Sequence, residues 1–293
     1  MHSLHGTRRQ FLAAAVAGLA VTSIPLRAAS SSRWTIGCLN RPWVKWGIDE
    51  ALDGVKGAGY PLVGLQTTTA AEVFVASESP EYLAALKQKI AARGLKANVV
   101  RLRTQDGQPF EQASAEIRRQ LDNARTLGFT AAINTGTAKP EHYEGWYRQM
   151  AYAAACGADR GIQLVTKPHG GVVAASAEIL KSLERINHPN VGIWYDAGNV
   201  LYYTGKDPLA EMEPIIRHVT AFTAKDCKGQ GGEVMIQHGT GLVDTLSLLR
   251  RLKQAGFNGP IMVEGCAVGA TAAETTSNAR ANREYLEGIL SRL

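Results

Sequence analysis

Eight short apolar runs alternate along this chain with segments whose apolar residues recur at helical spacing. Short apolar runs bounded by turn residues are typical of buried parallel strands, and helix-length segments between them supply the crossovers. The predicted strands are Thr35–Leu39, Leu62–Leu65, Ala97–Leu102, Ala131–Asn134, Ile162–Thr166, Val191–Tyr195, Val219–Ala224 and Ile261–Val263. The predicted helices are Ile48–Val55, Glu81–Ala92, Glu111–Leu127, His142–Cys156, Ala175–Ile186, Leu209–Ile216, Val243–Ala255 and Ala272–Ile289. The series predicts an α/β fold made of βα units.

Two architectures fit such a series, a closed (β/α)8 TIM barrel and an open doubly wound sheet. An open sheet often carries a glycine-rich phosphate loop after its first strand, but here Cys38-Leu-Asn-Arg-Pro-Trp43 stands at that position. Several predicted helix ends carry a glycine, as in Leu127-Gly-Phe129, which lets a helix turn back into a strand. We therefore predict a single TIM-barrel domain over residues 30–293, close to the ~250 residues typical of such barrels.

Residues 1–29 are predicted to be an export signal and not part of the fold. Thr7-Arg8-Arg9-Gln10-Phe11-Leu12 is a twin-arginine pattern, an apolar segment follows it, and small residues around Ala29 offer a cleavage site. The apolar segment is shorter than the ~20 residues that a membrane span needs. We expect export by the twin-arginine translocation machinery, a periplasmic location and no stable membrane span after processing.

The charge of the chain does not favour a nucleic-acid partner. Removal of residues 1–29 would lower the formal net charge from +6 to +3, with 29 basic against 26 acidic residues. No basic run alternates with aromatic residues, as it would in a nucleic-acid-binding surface. A small molecule is the expected partner, and the sequence carries no signal for an oligomeric state.

Polar residues stand where four of the predicted strands end. Lys167 and His169 follow the fifth strand, Asp196 the sixth, Lys225 the seventh and Glu264 the eighth. In a closed parallel barrel these strand ends converge on one mouth, where the active sites of such barrels lie. Because side chains alternate along an extended chain, Lys167 and His169 share one face. We predict an active site at this mouth.

Each of these residues also has a purely structural interpretation. Lys167 and His169 could be a solvated loop lysine and a hydrogen-bonded histidine. Asp196 could cap the next helical turn, a position that aspartate favours. A carboxylate at the end of a buried strand is costly unless it is paired, metal-bound or facing water, and this favours use of Asp196 as a ligand or catalytic group. Glu264 has no evident salt-bridge partner nearby in sequence, so a metal ligand or a proton-transferring base explains it best.

Further residues are candidate substrate contacts, each with an alternative. Lys225 could bind substrate or pair with the adjacent Asp226 to orient a loop. Arg41 and Trp43 lie in the first loop, where an aromatic ring could cover a sugar face or seal the barrel rim. Asn199 and His238 complete the set of candidates, and His238 could lean over the mouth or lie in a surface loop.

The four cysteines are too few for a disulfide scaffold. Cys38, Cys227 and Cys266 lie close to the ends of the first, seventh and eighth predicted strands, which would be neighbours in a closed barrel. One disulfide in an oxidising compartment and buried free thiols are both open.

With these motifs in this order, the chain resembles the xylose isomerase-like TIM-barrel superfamily, the sugar phosphate isomerase/epimerase group. The resemblance covers approximately residues 34–293. Its elements are Lys167-Pro-His-Gly-Gly171, Tyr195-Asp-Ala-Gly-Asn199, Ala224-Lys-Asp226, Gly239-Thr-Gly-Leu-Val-Asp244 and Val263-Glu264. It implies a sugar or polyol substrate and a divalent metal held by Glu, Asp, His and Glu. It also implies two glutamates that shuttle protons through an enediolate.

The sequence keeps only part of that metal quartet. Asp196 and Glu264 match the family aspartate and last glutamate, but Lys167 stands at the first glutamate position and Thr223 at the histidine position. Lysine and threonine do not replace a carboxylate and an imidazole as ordinary ligands. Either His169, alone or with His238, completes a rearranged site for Mn, Mg, Co or Zn, or the site holds no metal.

The resulting hypothesis is proton transfer next to a sugar carbonyl, or a related elimination, on a carbohydrate or polyol. Glu264 would be a ligand or base, Asp196 a ligand, His169 a ligand or acid, and Lys167 would stabilise developing negative charge. The alternative is a non-catalytic periplasmic carbohydrate-binding barrel, which the two missing ligands motivate. An abasic-site endonuclease would need a histidine-rich multi-metal site and a basic face, which the sequence does not support.

Overall fold

The computed structural model describes residues 34–66, 74–76 and 79–293. Its eight strands are all parallel and close into a barrel, in which each strand pairs with its neighbours in the chain and the first pairs with the last. The predicted (β/α)8 TIM barrel is therefore confirmed. The twin-arginine segment lies outside the described residues.

The strands agree with the predicted ones to within one residue at each end. They are β1 (Ile36–Leu39), β2 (Leu62–Leu65), β3 (Lys96–Arg101), β4 (Ala131–Asn134), β5 (Gln163–Thr166), β6 (Val191–Asp196), β7 (Val219–Ala224) and β8 (Ile261–Val263). The α-helices in the described part of the chain are α1 (Ile48–Gly57), α2 (Pro80–Ala92), α3 (Phe110–Leu127), α4 (Tyr143–Ala158), α5 (Ser176–Ile186), α6 (Ala197–Thr204), α7 (Pro208–Met212), α8 (Thr245–Gln254) and α9 (Ala272–Leu290). None of these helices is both long and apolar enough to cross a membrane.

The segment between β6 and β7 differs from the prediction of one helix over Leu209–Ile216. Helix α6 starts directly after β6, where the Asp196 carboxylate accepts the Asn199 backbone N–H as a cap, and it ends at Gly205 with φ +68°. The second helix, α7, is short and continues as a 3-10 helix over Glu213–His218. Pro214 in that stretch has no N–H to donate to a regular α-helical turn.

Two apolar layers hold the barrel together. One lies between the strands and the surrounding helices, and the other fills the lumen. The lumen is lined by Leu39, Val99, Ala131, Ile133, Val165, Trp194, Ala221 and Met262. The barrel is thus a packed core that closes the site from below, and chemistry is confined to the mouth above this layer.

The four cysteines are free thiols in the structure. Cys38 and Cys266 are fully buried, and their burial raises the pKa of both thiols, that of Cys266 to about 12. The sequence left open one disulfide or buried free thiols, and the structure shows free thiols. At neutral pH they are protonated and behave as small apolar side chains.

A buried aspartate holds the long loop between β7 and α8. The Asp226 carboxylate accepts backbone N–H groups from Cys227 at 2.8 Å, Gly239 at 2.9 Å, Gly241 at 2.8 Å and Val243 at 3.2 Å. Four amide donors replace the water that a buried carboxylate has lost. This carboxylate therefore fixes the position of the loop beside the mouth.

We expect Asp226→Ala to lower the free energy of unfolding by about 3 kcal/mol, because it leaves buried backbone donors without an acceptor. Urea denaturation measures the change. The matched control is Asp244→Ala, which removes the helix cap formed with the Ser247 backbone N–H and should cost about 1 kcal/mol. Equal losses in the two variants would show that Asp226 is no more than an ordinary cap.

Candidate active site

The alternation of side chains along the strands determines which residues face the mouth of the barrel. The side chain two positions beyond a lumen-lining residue faces the same interior, one layer closer to the carboxyl ends of the strands. The pairs are Val99 and Arg101, Ile133 and Thr135, Val165 and Lys167, Trp194 and Asp196, Ala221 and Thr223, and Met262 and Glu264. After Leu39 the chain turns into a 3-10 helix over Arg41–Trp43, and Arg41 reaches the same region by its contact with Glu264. Six strands and the first loop therefore deliver polar side chains to one region.

The centre of this region is the ammonium group of Lys167. Its side chain is 2% exposed, and Nζ donates to Asp196 Oδ2 at 2.9 Å and to Glu264 Oε2 in a shorter contact. Burial by itself lowers the pKa of Lys167, but the attraction of Glu264 and then of Asp196 raises it above its ordinary value. The lysine is therefore a fixed, buried cation shared by two carboxylates.

Glu264 is held by three cations. Its Oε1 atom accepts from Arg41 Nη1 at 2.8 Å and from Lys225 Nζ at 3.1 Å, while Oε2 faces Lys167. Burial raises the pKa of Glu264, but the three cations outweigh it and hold the pKa well below its usual range. Lys225 thus pairs with Glu264, and the predicted alternative of a pair with the adjacent Asp226 is not formed.

Asp196 is both a helix cap and an ion-pair partner. Oδ1 accepts the Asn199 backbone N–H at 2.8 Å, and Oδ2 accepts from Lys167. The Asn199 side chain extends this network, since Oδ1 accepts from Lys225 Nζ at 2.6 Å and Nδ2 donates to the Pro168 carbonyl at 2.7 Å. The start of α6 therefore positions the two lysines relative to each other.

His169 lies at the rim and not among the carboxylates. Its Nε2 atom is 3.0 Å from the hydroxyl of Tyr203, and the two rings are 4.8 Å apart. Burial, then the charges of Lys167 and Lys225, lower the pKa of His169 to about 4, so the ring is neutral at pH 7. Tyr203 lies on α6, and the sequence prediction missed it because it missed that helix.

Two predicted site residues lie outside the ion-pair network. Trp43 is fully buried against Gly54 of α1, and its Nε1 atom lies 3.3 Å from Thr276 Oγ1. This placement fits the alternative in which the indole seals the barrel. His238 is buried beside α9, where its backbone N–H donates to Asn282 Oδ1 at 3.0 Å.

Arg101 is a mouth residue that sequence reasoning missed. It ends β3, two residues beyond Val99 of the lumen, and its guanidinium lies 3.4 Å from Thr135 Oγ1. Partial burial and the nearby Arg103 lower the pKa of Arg101, whereas Glu264 acts in the opposite direction. The signal was available, because the alternation of side chains along β3 places Arg101 on the lumen face.

The side chains at the mouth do not fit a divalent metal. Among the described residues, no group of three or more His, Cys, Asp and Glu side chains could hold one. Asp196 and Glu264 are already bridged by the Lys167 ammonium, and Thr223 contributes a buried hydroxyl without a hydrogen-bond partner in the described part of the chain. A divalent ion placed between the carboxylates would meet this ammonium at close range. The rearranged site with His169 as a ligand is not supported.

The buried ring of His238 should make folding stability depend on pH. Burial lowers the pKa of His238 to about 4 from 6.5, so between these values the unfolded chain binds a proton that the folded protein does not. The contribution of His238 to the free energy of unfolding is therefore highest above pH 6.5, and proton binding to His238 in the unfolded chain lowers it by about 3 kcal/mol between pH 6.5 and pH 4. His238→Gln should flatten the pH dependence of the free energy of unfolding in this window, as measured by urea denaturation. His188→Gln is the control, and an equal flattening there would contradict the assignment.

The comparisons with known proteins agree with this architecture. A Mycobacterium smegmatis xylose isomerase-like TIM barrel protein, solved in complex with magnesium, has a TM-score of 0.71 at 16% identity, over 89% of this chain and 97% of that one. A D-allulose 3-epimerase from Methylomonas sp. has a TM-score of 0.69 at 18% identity, over 88% and 98%. The probable 3-DHS dehydratase from Bacillus anthracis has a TM-score of 0.66 at 11% identity, over 86% and 98%.

These identities establish the shared fold and not a shared activity. A search of the curated proteins finds no match to this chain. The sequence model of one protein family, described as xylose isomerase-like TIM barrel, matches residues 52–289, which is most of the sequence. The chain belongs to the xylose isomerase-like TIM barrel family.

Proposed function

We propose that this protein is a sugar isomerase- or epimerase-like enzyme that moves a proton next to the carbonyl of a carbohydrate or polyol, or catalyses a related elimination. The observation that carries the proposal is the buried Lys167 ammonium between Asp196 and Glu264. It is a permanent cation between the two carboxylates that match the family's metal quartet. The similarity to a D-allulose 3-epimerase supports a carbohydrate substrate.

The cations supply the electrostatic part of the mechanism. Removal of a proton next to a carbonyl places negative charge on the carbonyl oxygen, and fixed donors in a site shielded from water stabilise that charge. Lys167 and Lys225 are both almost fully buried, and Arg41 reaches the same carboxylate from the more exposed side. A substrate carbonyl oxygen that accepts a hydrogen bond from Arg41 or Lys225, in place of Glu264, would lie where this negative charge develops.

Glu264 and His169 are the proposed proton-transfer groups. A substrate oxygen that draws Arg41 away from Glu264 would free one carboxylate oxygen to accept the proton from carbon. His169, neutral at pH 7 and hydrogen-bonded to Tyr203, stands on the rim side of the mouth. In an epimerisation, His169 and Tyr203 would exchange the proton on the face of the substrate opposite to Glu264.

Loss of the Glu264 base should remove exchange of the substrate proton. We expect Glu264→Gln to slow incorporation of deuterium from D2O into bound ketoses by at least about 100-fold, the usual contribution of a general base. Lys167→Met should have a similar effect through loss of oxyanion stabilisation, and Lys87→Met on the exposed face of α2 is the matched control. NMR of the recovered sugar measures the exchange. Unchanged exchange in Glu264→Gln would remove this residue from the mechanism.

A saccharide-binding barrel without catalysis is the second candidate. It is favoured by one observation, that cations contact both oxygens of Glu264 and leave no unpaired base. Thermal-shift measurements on the same ketoses separate the candidates. Stabilisation by a sugar that undergoes no deuterium exchange would favour binding alone.

Introduction of the two metal ligands that the family resemblance implies should create a metal site. Strand register places Thr223 between Asp196 and Met262, so a side chain at position 223 lies between the two carboxylate-bearing strands. We expect Lys167→Glu combined with Thr223→His to bind Mn²⁺ measurably by calorimetry, because three carboxylates and an imidazole are ordinary ligands. The unmodified protein should retain none after dialysis. Stoichiometric Mn²⁺ in the unmodified protein would contradict the role assigned to Lys167.

We also propose that the protein is exported to the periplasm through the twin-arginine pathway. The proposal rests on the Thr7–Leu12 pattern and the apolar segment that follows it. Replacement of Arg8 and Arg9 by lysine should retain the protein in the cytoplasm, and fractionation of the cells measures this. Unchanged export of the variant would contradict the proposal.

A further inference from the structure

The described part of the mouth carries more positive than negative charge. Among the side chains that the structure describes and that this site groups together, the cations are Arg41, Arg101, Lys167 and Lys225 and the carboxylates are Asp196 and Glu264, which leaves a balance of +2. Asp226 does not change this balance at the mouth, because its carboxylate is occupied by four backbone amides of the adjoining loop. His169 adds no charge at pH 7.

Arg101 is the cation of this group without an acidic partner. Lys167, Lys225 and Arg41 all contact Glu264, whereas Arg101 hydrogen-bonds to the Thr135 hydroxyl and forms no ion pair among the described residues. Its side chain is partly exposed at the end of β3, on the lumen face above Val99. A guanidinium here offers free donors to whatever enters the mouth.

The chemistry of a free guanidinium indicates what it binds. Arginine presents a planar set of N–H donors that matches the two oxygens of a carboxylate or phosphate group, and the charge-assisted hydrogen bonds so formed are about twice as strong as neutral ones. A neutral ketose offers only hydroxyl and carbonyl oxygens and leaves the surplus charge uncompensated. An anionic group would neutralise it within a mouth that solvent screens only in part.

We infer that the substrate is an anionic carbohydrate, a sugar acid or a sugar phosphate, whose charged group binds Arg101 while its carbonyl end lies at Lys167 and Lys225. This inference rests on the proposed function for the identity of the reacting end. Thr135, one strand away on β4's carboxyl side, adds a hydroxyl beside the guanidinium. Arg101 is then a specificity-determining residue, separate from the group that stabilises the reacting oxygen.

The test compares three ketoses that differ in charge, namely D-fructuronate, D-fructose 6-phosphate and D-fructose. Calorimetry on the full processed protein should give at least about 10-fold tighter binding of one of the charged sugars than of D-fructose, a difference that 1.4 kcal/mol provides. Arg101→Met should remove this preference, and Arg101→Lys should restore part of it. Arg125→Met, which removes an exposed charge on α3, should leave it unchanged. The preferred charged sugar distinguishes carboxylate from phosphate recognition.

Turnover adds a readout that a merely structural role would not change. For the preferred charged sugar, Arg101→Met should raise KM with little change in kcat, and added salt should weaken binding to the unmodified protein more than to the variant. D-Fructose binding as tight as that of both charged sugars, no binding of any of the three, or an unchanged preference in Arg101→Met would overturn the inference.

The two proposals can fail separately. Charge-selective binding through Arg101 without deuterium exchange would support the anionic ligand and contradict the catalytic proposal. Exchange that depends on Glu264 but acts equally on charged and neutral ketoses would support catalysis and contradict the anionic substrate.

Discussion

The site depends on a single buried ammonium group. Lys167 is almost fully enclosed, and a buried charge is tolerated only when opposite charges and hydrogen-bond partners replace its lost hydration. Asp196 and Glu264 supply both, from two other strands of the barrel. The ion pair in turn fixes these carboxylates, which would be equally costly to bury alone. Three strands that are distant in sequence are thus tied together above the lumen.

In this site the ammonium of Lys167 lies between the two carboxylates where the family resemblance implies a metal. The ammonium group of a lysine is covalently attached and cannot leave the protein, whereas a bound metal ion is held only by several donor atoms in a defined geometry. Its single charge is weaker than that of a divalent ion, and Lys225 and Arg41 contribute further positive charge at Glu264. The same crowding of cations holds Glu264 ionised, so the proposed mechanism requires a substrate that displaces one donor before this carboxylate acts as a base.

Much of the fold was predictable, but parts of the site were not. Alternating apolar runs and helical segments gave the strand bounds to within a residue, because backbone hydrogen bonding and burial act locally on such patterns. Helix α6 was missed because its start is set by the Asp196 cap, a side chain that was assigned mainly to chemistry. Tyr203 was lost with it. Arg101 was overlooked because its strand end was read as part of an apolar run, and Trp43 could not be placed because burial of an aromatic depends on helices from both ends of the chain.

The sequence by itself determined the eight βα units and the polar residues at their ends, including Lys167 and Thr223 where the family resemblance implies a glutamate and a histidine. Alternation along each strand also determined which of those residues face the interior. Only the tertiary structure decided their partners. Lys167 and Glu264 are 97 residues apart, and their contact exists because closure of the barrel brings the carboxyl ends of β5 and β8 within the reach of one side chain. Whether a carboxylate meets a cation, a backbone amide or water is a matter of three-dimensional distance, and no local pattern carries that information.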